Sequence, residues 1–415
     1  MSVPRYQKYK ASGVEWLGEV PEQWEVISIK WLSPVKRGAS PRPIDDPKYF
    51  DDEGEFSWVR IADVSACDGV LNETTQRLSE LGSSLSVKIA PGELFVSIAG
   101  TVGKPCISAI NACIHDGFVY FPTLKINPLF LYRIFEGGAC YGGLGKWGTQ
   151  LNLNTDTIGS IRVALPPPDE LKDLLTFLDR ETGKIDGLVA EQRRLMELLN
   201  EEIVSLVLSS FNAPETYELR LSEASTIISR PVTQKADESY TRIGLFNRGR
   251  GLFHKDESEM DDMGESDFFW VEEGDLIISG QFAWEGAVAL ADEEDTGCVV
   301  SHRYPVIRGK AGVALTEYLL GLFCTKHGDF LLNENSRGAA GRNRPLNISS
   351  LMKEKIPVPK MAVQEAVARA VHARKVLFKE ITKAIDLLQE RRTALISAAV
   401  TGQIDVRPLL KKEAA

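Results

Sequence analysis

Four loops concentrate side chains able to recognise nucleic acid. KRGASPRP at 36–43 carries Arg37 and Arg42, and YGGLGKWGTQLNLN at 141–154 carries Lys146, Trp147, Gln150 and Asn152. TRIGLFNRGRGLFHK at 241–255 carries Arg242, Asn247, Arg248 and Arg250, with no acid among them. NSRGAAGRNRPLN at 335–347 carries Arg337, Arg342, Asn343, Arg344 and Asn347. Arg60 in WVRIADV, Thr101 and Lys104 in GTVGK, and Gln281 in IISGQF complete the set. A guanidinium reads guanine through two parallel hydrogen bonds, Asn and Gln amides read adenine, and glycine lets backbone approach phosphate. Taken singly, each loop reads more readily as a solvated surface loop. Recurrence at equivalent places in both halves of the chain favours a shared role. Trp147 has two readings: packing on a sugar or thymine methyl, or anchoring its loop to the core.

Other chemistries lack their signatures. The six cysteines are scattered without a C-x-x-C pair, and the five histidines lie far apart, so no metal site is expected. There is no G-x-S-x-G, and GTVGK is too short for a phosphate-binding P-loop. It reads as a turn after the strand ELFVSIA, with Thr101 and Lys104 facing phosphate. An enzymatic reading rests on acids of the 256–295 block with His254 or His302 as base; a solvated acidic loop explains that block more simply. No catalytic residue is therefore assigned.

A chain of 415 residues exceeds one ordinary core, so two or more domains are expected. No apolar run is long enough for a membrane helix and no secretory signal opens the chain, so a cytoplasmic protein with reduced thiols is expected. The net charge of −10 argues against a DNA partner only until its placement is examined. Asp256–Asp295 holds 15 acids and no Lys or Arg, which leaves the remainder at +5. Local fields govern binding more than the total does.

The elements that must position the loops occur twice. WVRIADV at 58–64 is echoed by YTRIGLF at 240–246, and GELFVSIAG at 92–100 by GDLIISGQF at 274–282. LNTDTIGSIRVALP at 153–166 is echoed by LNISSLMKEKIPVP at 346–359. Short β-branched and aromatic runs such as FSWVRIADV, ELFVSIAG, GFVYFPTL, DLIISGQFAW, GAVALA and YPVIRG read as strands, and TEYLLGLFCT near 316–325 as a helix. A long helical stretch follows each strand-rich globule. After PPPDE, Asp169 and Glu170 suit a helix N-terminus.

Steps of four and three trace an apolar seam through Leu174, Leu178, Ile185, Leu188, Leu195, Leu199 and Leu206. A second seam runs through Val367, Val371, Phe378, Ile381, Ile385, Leu388, Leu395 and Ala399. Gly183 and Gly187 are expected to kink or restart the first helix. Such a stripe ordinarily lies on its own domain's core. At ~50–60 Å, however, each helix is long for one small globule, so antiparallel pairing of the two is expected, with the globules at opposite ends. The fold class is thus α+β: two strand-rich mixed globules separated by two long antiparallel coiled-coil helices, an internal pseudo-two-fold repeat. The boundaries read 1–165, 166–212, 213–358 and 359–411.

Three stretches are distinctive: YKASGVEWLGEVPEQWEV at 9–26, LPPPDELKDLLTFLDRETGKID at 165–186, and LLQERRTALISAAVTGQIDV at 387–406. They resemble the specificity subunit of type I restriction–modification systems, in order along the whole chain. The central region departs from the pattern by ending in EEIVSLVLSSFN where a basic RRTALISAAVTG-like form is expected. The resemblance implies a non-catalytic DNA-recognition subunit. Each target-recognition domain reads one half of an asymmetric bipartite site in double-stranded DNA, and the helices set the gap. Two modification (methyltransferase) subunits dock on the helices, bring S-adenosylmethionine and methylate adenine at N6. Two restriction subunits, using ATP and Mg, can join for translocation and cleavage. No cofactor is expected on this chain. The alternative is a coiled-coil protein-interaction scaffold without DNA readout.

Overall fold

The computed structural model describes residues 4–144, 153–233, 238–247, 249–259, 266–338 and 344–413. It forms two compact units, Met1–Ala190 with Ile385–Ala415, and Glu191–Ala384.

In the first unit, one sheet runs in the order Lys36–Arg37, Phe118–Tyr120, Leu94–Ser97, Pro105–Ser108, Val70–Leu71. A second sheet places Phe56–Val59 parallel to Ala112–Ile114. Glu25–Ser28 pairs antiparallel with Arg162–Leu165, which leads into the helix Pro168–Ser210. The second unit repeats this frame. Its sheet runs Ser225–Ile228, Val306–Gly309, Leu276–Ile278, Val288–Leu290, the order of the first four strands of its counterpart. Tyr217–Arg220 pairs with Lys355–Val358, which leads into the helix Met361–Val400.

Turn chemistry explains one of the echoes. Gly92 and Gly274 adopt φ of +88° and +82°, a left-handed conformation that favours glycine. The next residue is an acid whose carboxylate accepts an amide three residues back: Glu93 from Ala90 at 2.7 Å, Asp275 from Glu272 at 2.9 Å. Each turn thus closes itself and launches a buried strand. One strand reading is corrected. FSWV is a strand, but Ile61–Ala66 of FSWVRIADV is a helix, its entry fixed by the Asp63 carboxylate accepting the Arg60 amide at 2.8 Å.

Gly183 and Gly187 do not interrupt the first long helix, which is continuous from Pro168 to Ser210. No atom lies within 4 Å of where a Cβ would stand at either glycine. Gly183→Ala and Gly187→Ala are therefore expected to raise stability by about 1 kcal/mol each, read from urea midpoints, because alanine restricts the unfolded chain at no steric cost.

Each unit packs its share of both helices onto its own globule. In the first unit Leu174 and Leu178 join Ile396, Ala399 and Val400 in one core with Trp24, Phe130 and Phe135. Arg392 donates to Asp186 at 2.8 Å. In the second unit Ile203 and Val207 share a core with Val367, Val371 and Tyr318. Arg374 donates to Asn200 at 2.8 Å, and Val207 and Val367 both flank Gly321, so the helical segments run antiparallel there. The sequence posed helix-on-core against helix-on-helix, and within each unit both hold.

The first seam needs correction. Leu174, Leu178 and Ile185 are buried and Leu199 and Leu206 half-buried, but Leu188 and Leu195 stand 46% and 40% exposed. Val189, Ile203 and Val207 are buried instead. A straight helix at 3.6 residues per turn drifts ~20° per heptad from a 3.5-residue seam, and the drift accumulates along this helix. On the second helix Val371 and Ile381 are buried, and Phe378, Ile385, Leu388 and Leu395 half-buried, as the seam predicts.

One buried carboxylate ties the first unit's ends to its helix. Glu170 accepts hydrogen bonds from Tyr6 and from Trp24 Nε1 (2.7 Å), and Arg407 lies 3.9 Å away. Placed in the helix's first turn, its charge also suits the helix dipole.

Candidate nucleic-acid interface

In the first unit the KRGASPRP loop is organised by Asp116. Arg37 donates to the Asp116 carbonyl, Arg42 to its carboxylate at 3.0 Å, and Ser40 to the same carboxylate at 3.2 Å. Arg37 and Arg42 remain exposed. Gly38 is required by close approach, since a Cβ there would meet the His115 carbonyl at 2.2 Å. His115 packs against Trp58 and Phe118. Burial, together with the Arg60 charge and against that of Asp116, pushes its imidazole pKa down, so it adds no positive charge near neutral pH. Arg37, Arg42 and Arg60 thus gather about one turn. Thr101 and Lys104 belong to a different arrangement: Thr101 bonds Ser65 at 2.7 Å, and the Lys104 ammonium donates to the carbonyls of Ser65 and Cys67 at 3.0 and 2.9 Å. That is the geometry of a helix C-cap rather than a free phosphate ligand.

In the second unit an open groove of 1230 Å³ is lined by Asn247, Arg250, Trp284, Lys326 and Asn333 among others. Arg250 donates to the Asn247 carbonyl at 3.0 Å, and Asn247 donates to Glu285. Arg344 lies 5.1 Å from the Trp284 ring centroid, a cation–π distance. Trp284 in turn donates to the Gln281 carbonyl at 3.2 Å. Arg344 thus stacks on the Trp284 indole, Gln281 accepts from it through its backbone carbonyl, and Asn247 and Arg250 line the same groove. Trp284 and Lys326 were not singled out from sequence. A Trp in the glycine-flanked turn GQFAWEG was the available signal, with Gly286 at φ +68° closing the turn.

Arg242 donates to Ser258 at 3.1 Å, and Arg337 pairs with Glu334 on the surface. Asn347 accepts the Ser350 amide at 3.0 Å as the N-cap of Ile348–Leu351, just as Asn154 caps Thr155–Ser160. The shared LN of the two echoed segments is thus a capping signature, and in Asn347 it engages the side-chain oxygen. Asn347→Ala is expected to cost about 1 kcal/mol in thermal denaturation and to leave DNA preference unchanged. Lys146, Trp147, Gln150, Asn152, Arg248, Arg342 and Asn343 lie outside the described residues.

Several of the described acids in the acidic block are paired within the unit. Asp275 is fully buried and held by Arg230 and Arg308. Asp292 pairs with Lys375 at 2.7 Å, Glu294 with Lys379 at 2.8 Å, and Asp295 bonds His254 at 2.8 Å. Burial pushes Asp292 up, but Lys375 outweighs it and holds the carboxyl below its usual range. Internal pairing removes much of the repulsion that the net charge implied.

Among the described residues no cluster of three or more His, Cys, Asp or Glu could hold a metal, and no helix is long and apolar enough to cross a membrane.

No family model matches the chain. Three solved structures resemble it. One is a chain from work on complex assembly and conformational transition of the type I R-M system. It has 15% identity and a TM-score of 0.51, covering 92% of this chain and 98% of that one. The HsdS subunit from Thermoanaerobacter tengcongensis has 14% identity and a TM-score of 0.40, with 93% and 98% covered. The type I restriction–modification S subunit from M. genitalium has 13% identity and a TM-score of 0.46, with 91% and 96% covered. Of the three, the first alone exceeds 0.5, and at its identity the likeness is one of architecture. The chain shares the fold of that type I R-M chain along nearly its whole length.

Proposed function

We propose that this chain is the DNA-specificity subunit of a type I restriction–modification complex. Each globule reads one half of a bipartite site in double-stranded DNA, and the helical regions set the gap and dock two methyltransferase subunits. The chain contributes no bond-making group of its own. S-adenosylmethionine, and ATP with Mg, belong to the methyltransferase and restriction partners. The observation that carries this reading is the doubled frame. The same strand order, strand pair and long helix occur twice, while the polar loops differ between copies. Conserving a scaffold while varying its loops is how one chain would read two unlike sequences. The fold shared with a type I R-M chain supports the reading.

The two loop clusters fit the chemistry required. The first offers Arg37 and Arg42 on Asp116 with the Arg60 charge near the adjoining His115, the second Arg344 on an indole whose groove is also lined by Asn247 and Arg250. Arginine recognises guanine, and fixed carboxylates orient it. Arg344→Ala is expected to cost about 1–3 kcal/mol in DNA binding and to relax the second half-site alone. A loss uniform across sequences would assign Arg344 to phosphate.

The direct test is gel shift with the chain alone and with its methyltransferase partner, on random-sequence and site-bearing duplexes. Binding that weakens steeply with salt, and gains sequence preference with the partner, is expected. Absence of DNA binding in both conditions would leave the interaction scaffold as the reading.

A further inference from the structure

Two thiols of the first unit lie together for no reason the DNA reading requires. Cys67 follows the helix Ile61–Ala66 and caps its end, while Cys106 sits in the strand Pro105–Ser108. Their sulfurs are 3.6 Å apart. Cys106 is buried and Cys67 is partly open to solvent. The turn Gly100–Lys104, just before Cys106, is bound to the same helix end through Thr101–Ser65 and the two Lys104 bonds. Lys104 thus places a positive charge beside the Cys67 carbonyl.

The surroundings of the two sulfurs shift their acidity in opposite directions. The hydrogen bond from Cys106, joined by the Gly69 amide and Lys104 and opposed by burial, pulls Cys67 down to about 6. The same bond and burial push Cys106 up. Cys113 and Cys140 are also pushed up, both by burial, to about 12, which leaves them inert. A partly open, acidified thiol backed by a second thiol is the arrangement of a sulfur that oxidises and is then resolved.

We infer that Cys67 and Cys106 are a peroxide-responsive pair that closes reversibly into a disulfide, fastening the Gly100–Lys104 turn to the helix Ile61–Ala66. The Cys67 thiolate attacks one oxygen of hydrogen peroxide, forming an S–O bond as the O–O bond breaks. The departing hydroxide takes a proton from solvent to become water, and Cys67 is left as the sulfenic acid. Cys106 then attacks the Cys67 sulfur. The S–S bond forms, the S–O bond breaks, and the hydroxide leaves with the Cys106 proton as a second water. Two thiols are oxidised by two electrons and one peroxide is reduced to two waters. The sulfurs would close from 3.6 Å to the about 2.05 Å of a disulfide bond. This inference stands on the thiol geometry and does not depend on the DNA reading.

The test uses the full chain under native conditions near neutral pH. Hydrogen peroxide is expected to remove about 2 Da from the intact mass, and non-reducing digestion to give a peptide linking Cys67 to Cys106 that dithiothreitol separates. In Cys106→Ser, oxidation stops at a dimedone-reactive sulfenic acid on Cys67. In the unmutated protein Cys67 alkylates at least about tenfold faster than Cys113 or Cys140, which checks the thiolate without any substitution. The inference is overturned if Cys67 passes to the sulfinic acid with Cys106 present, if no linked peptide forms, or if all cysteines alkylate at one rate.

Discussion

Asp275→Ala is expected to destabilise the second unit by about 3 kcal/mol, lowering its melting temperature by several degrees. The carboxylate is fully buried at the start of a central strand and is shared by two guanidinium groups. Arg230 donates at 2.7 and 3.3 Å, Arg308 donates to Oδ1, and the Glu272 amide donates at 2.9 Å. Removing the acid leaves both arginines and an amide facing a cavity. Glu272 still pairs with Arg230 at 2.8 Å, and both arginines are partly exposed, which keeps the loss at the lower end of the range for broken buried pairs. Asp275→Asn keeps the volume and one acceptor, so its cost should fall between that of the wild type and the alanine. Calorimetry on the three proteins checks the order. DNA binding by the variants adds a second readout: if each unit reads its own half-site, recognition of one half-site should fail before the other.

The second large effect is on DNA geometry. Four residues inserted into each long helix, after Ala190 and after Ala384, add ~6 Å of helix while turning it little more than one full revolution. If the helices set the gap, the recognised site should lengthen by about one to two base pairs, with both half-sites unchanged. Methylation of a library of spacer lengths checks this.

Much of this architecture was legible because it rests on periodic and local signals. The echoed strands marked a duplicated frame, and the proline cluster before Asp169 marked where a helix begins at Pro168. Thr316–Phe323 formed a helix where TEYLLGLFCT suggested one. What escaped was set by tertiary partners. Asp275 and Glu170 look like surface acids in sequence, and only distant Arg230, Arg308, Tyr6 and Trp24 make them buried hubs. Leu188 and Leu195 fit the heptad in sequence, yet both stand exposed. Asn347 is chemically suited to adenine, yet its position before a helix commits its oxygen to an amide. Lys104 carries a charge suited to phosphate, but two carbonyls engage it. Polar residues were the least legible because their role depends on which partner reaches them first.

The most direct measurement is a map of methylated adenines in cells expressing this chain with its methyltransferase partner, compared with cells lacking this chain. The account predicts one motif that depends on the chain, made of two unlike half-sites separated by a fixed run of unspecified bases. A contiguous motif, or methylation that does not change when the chain is removed, would contradict it.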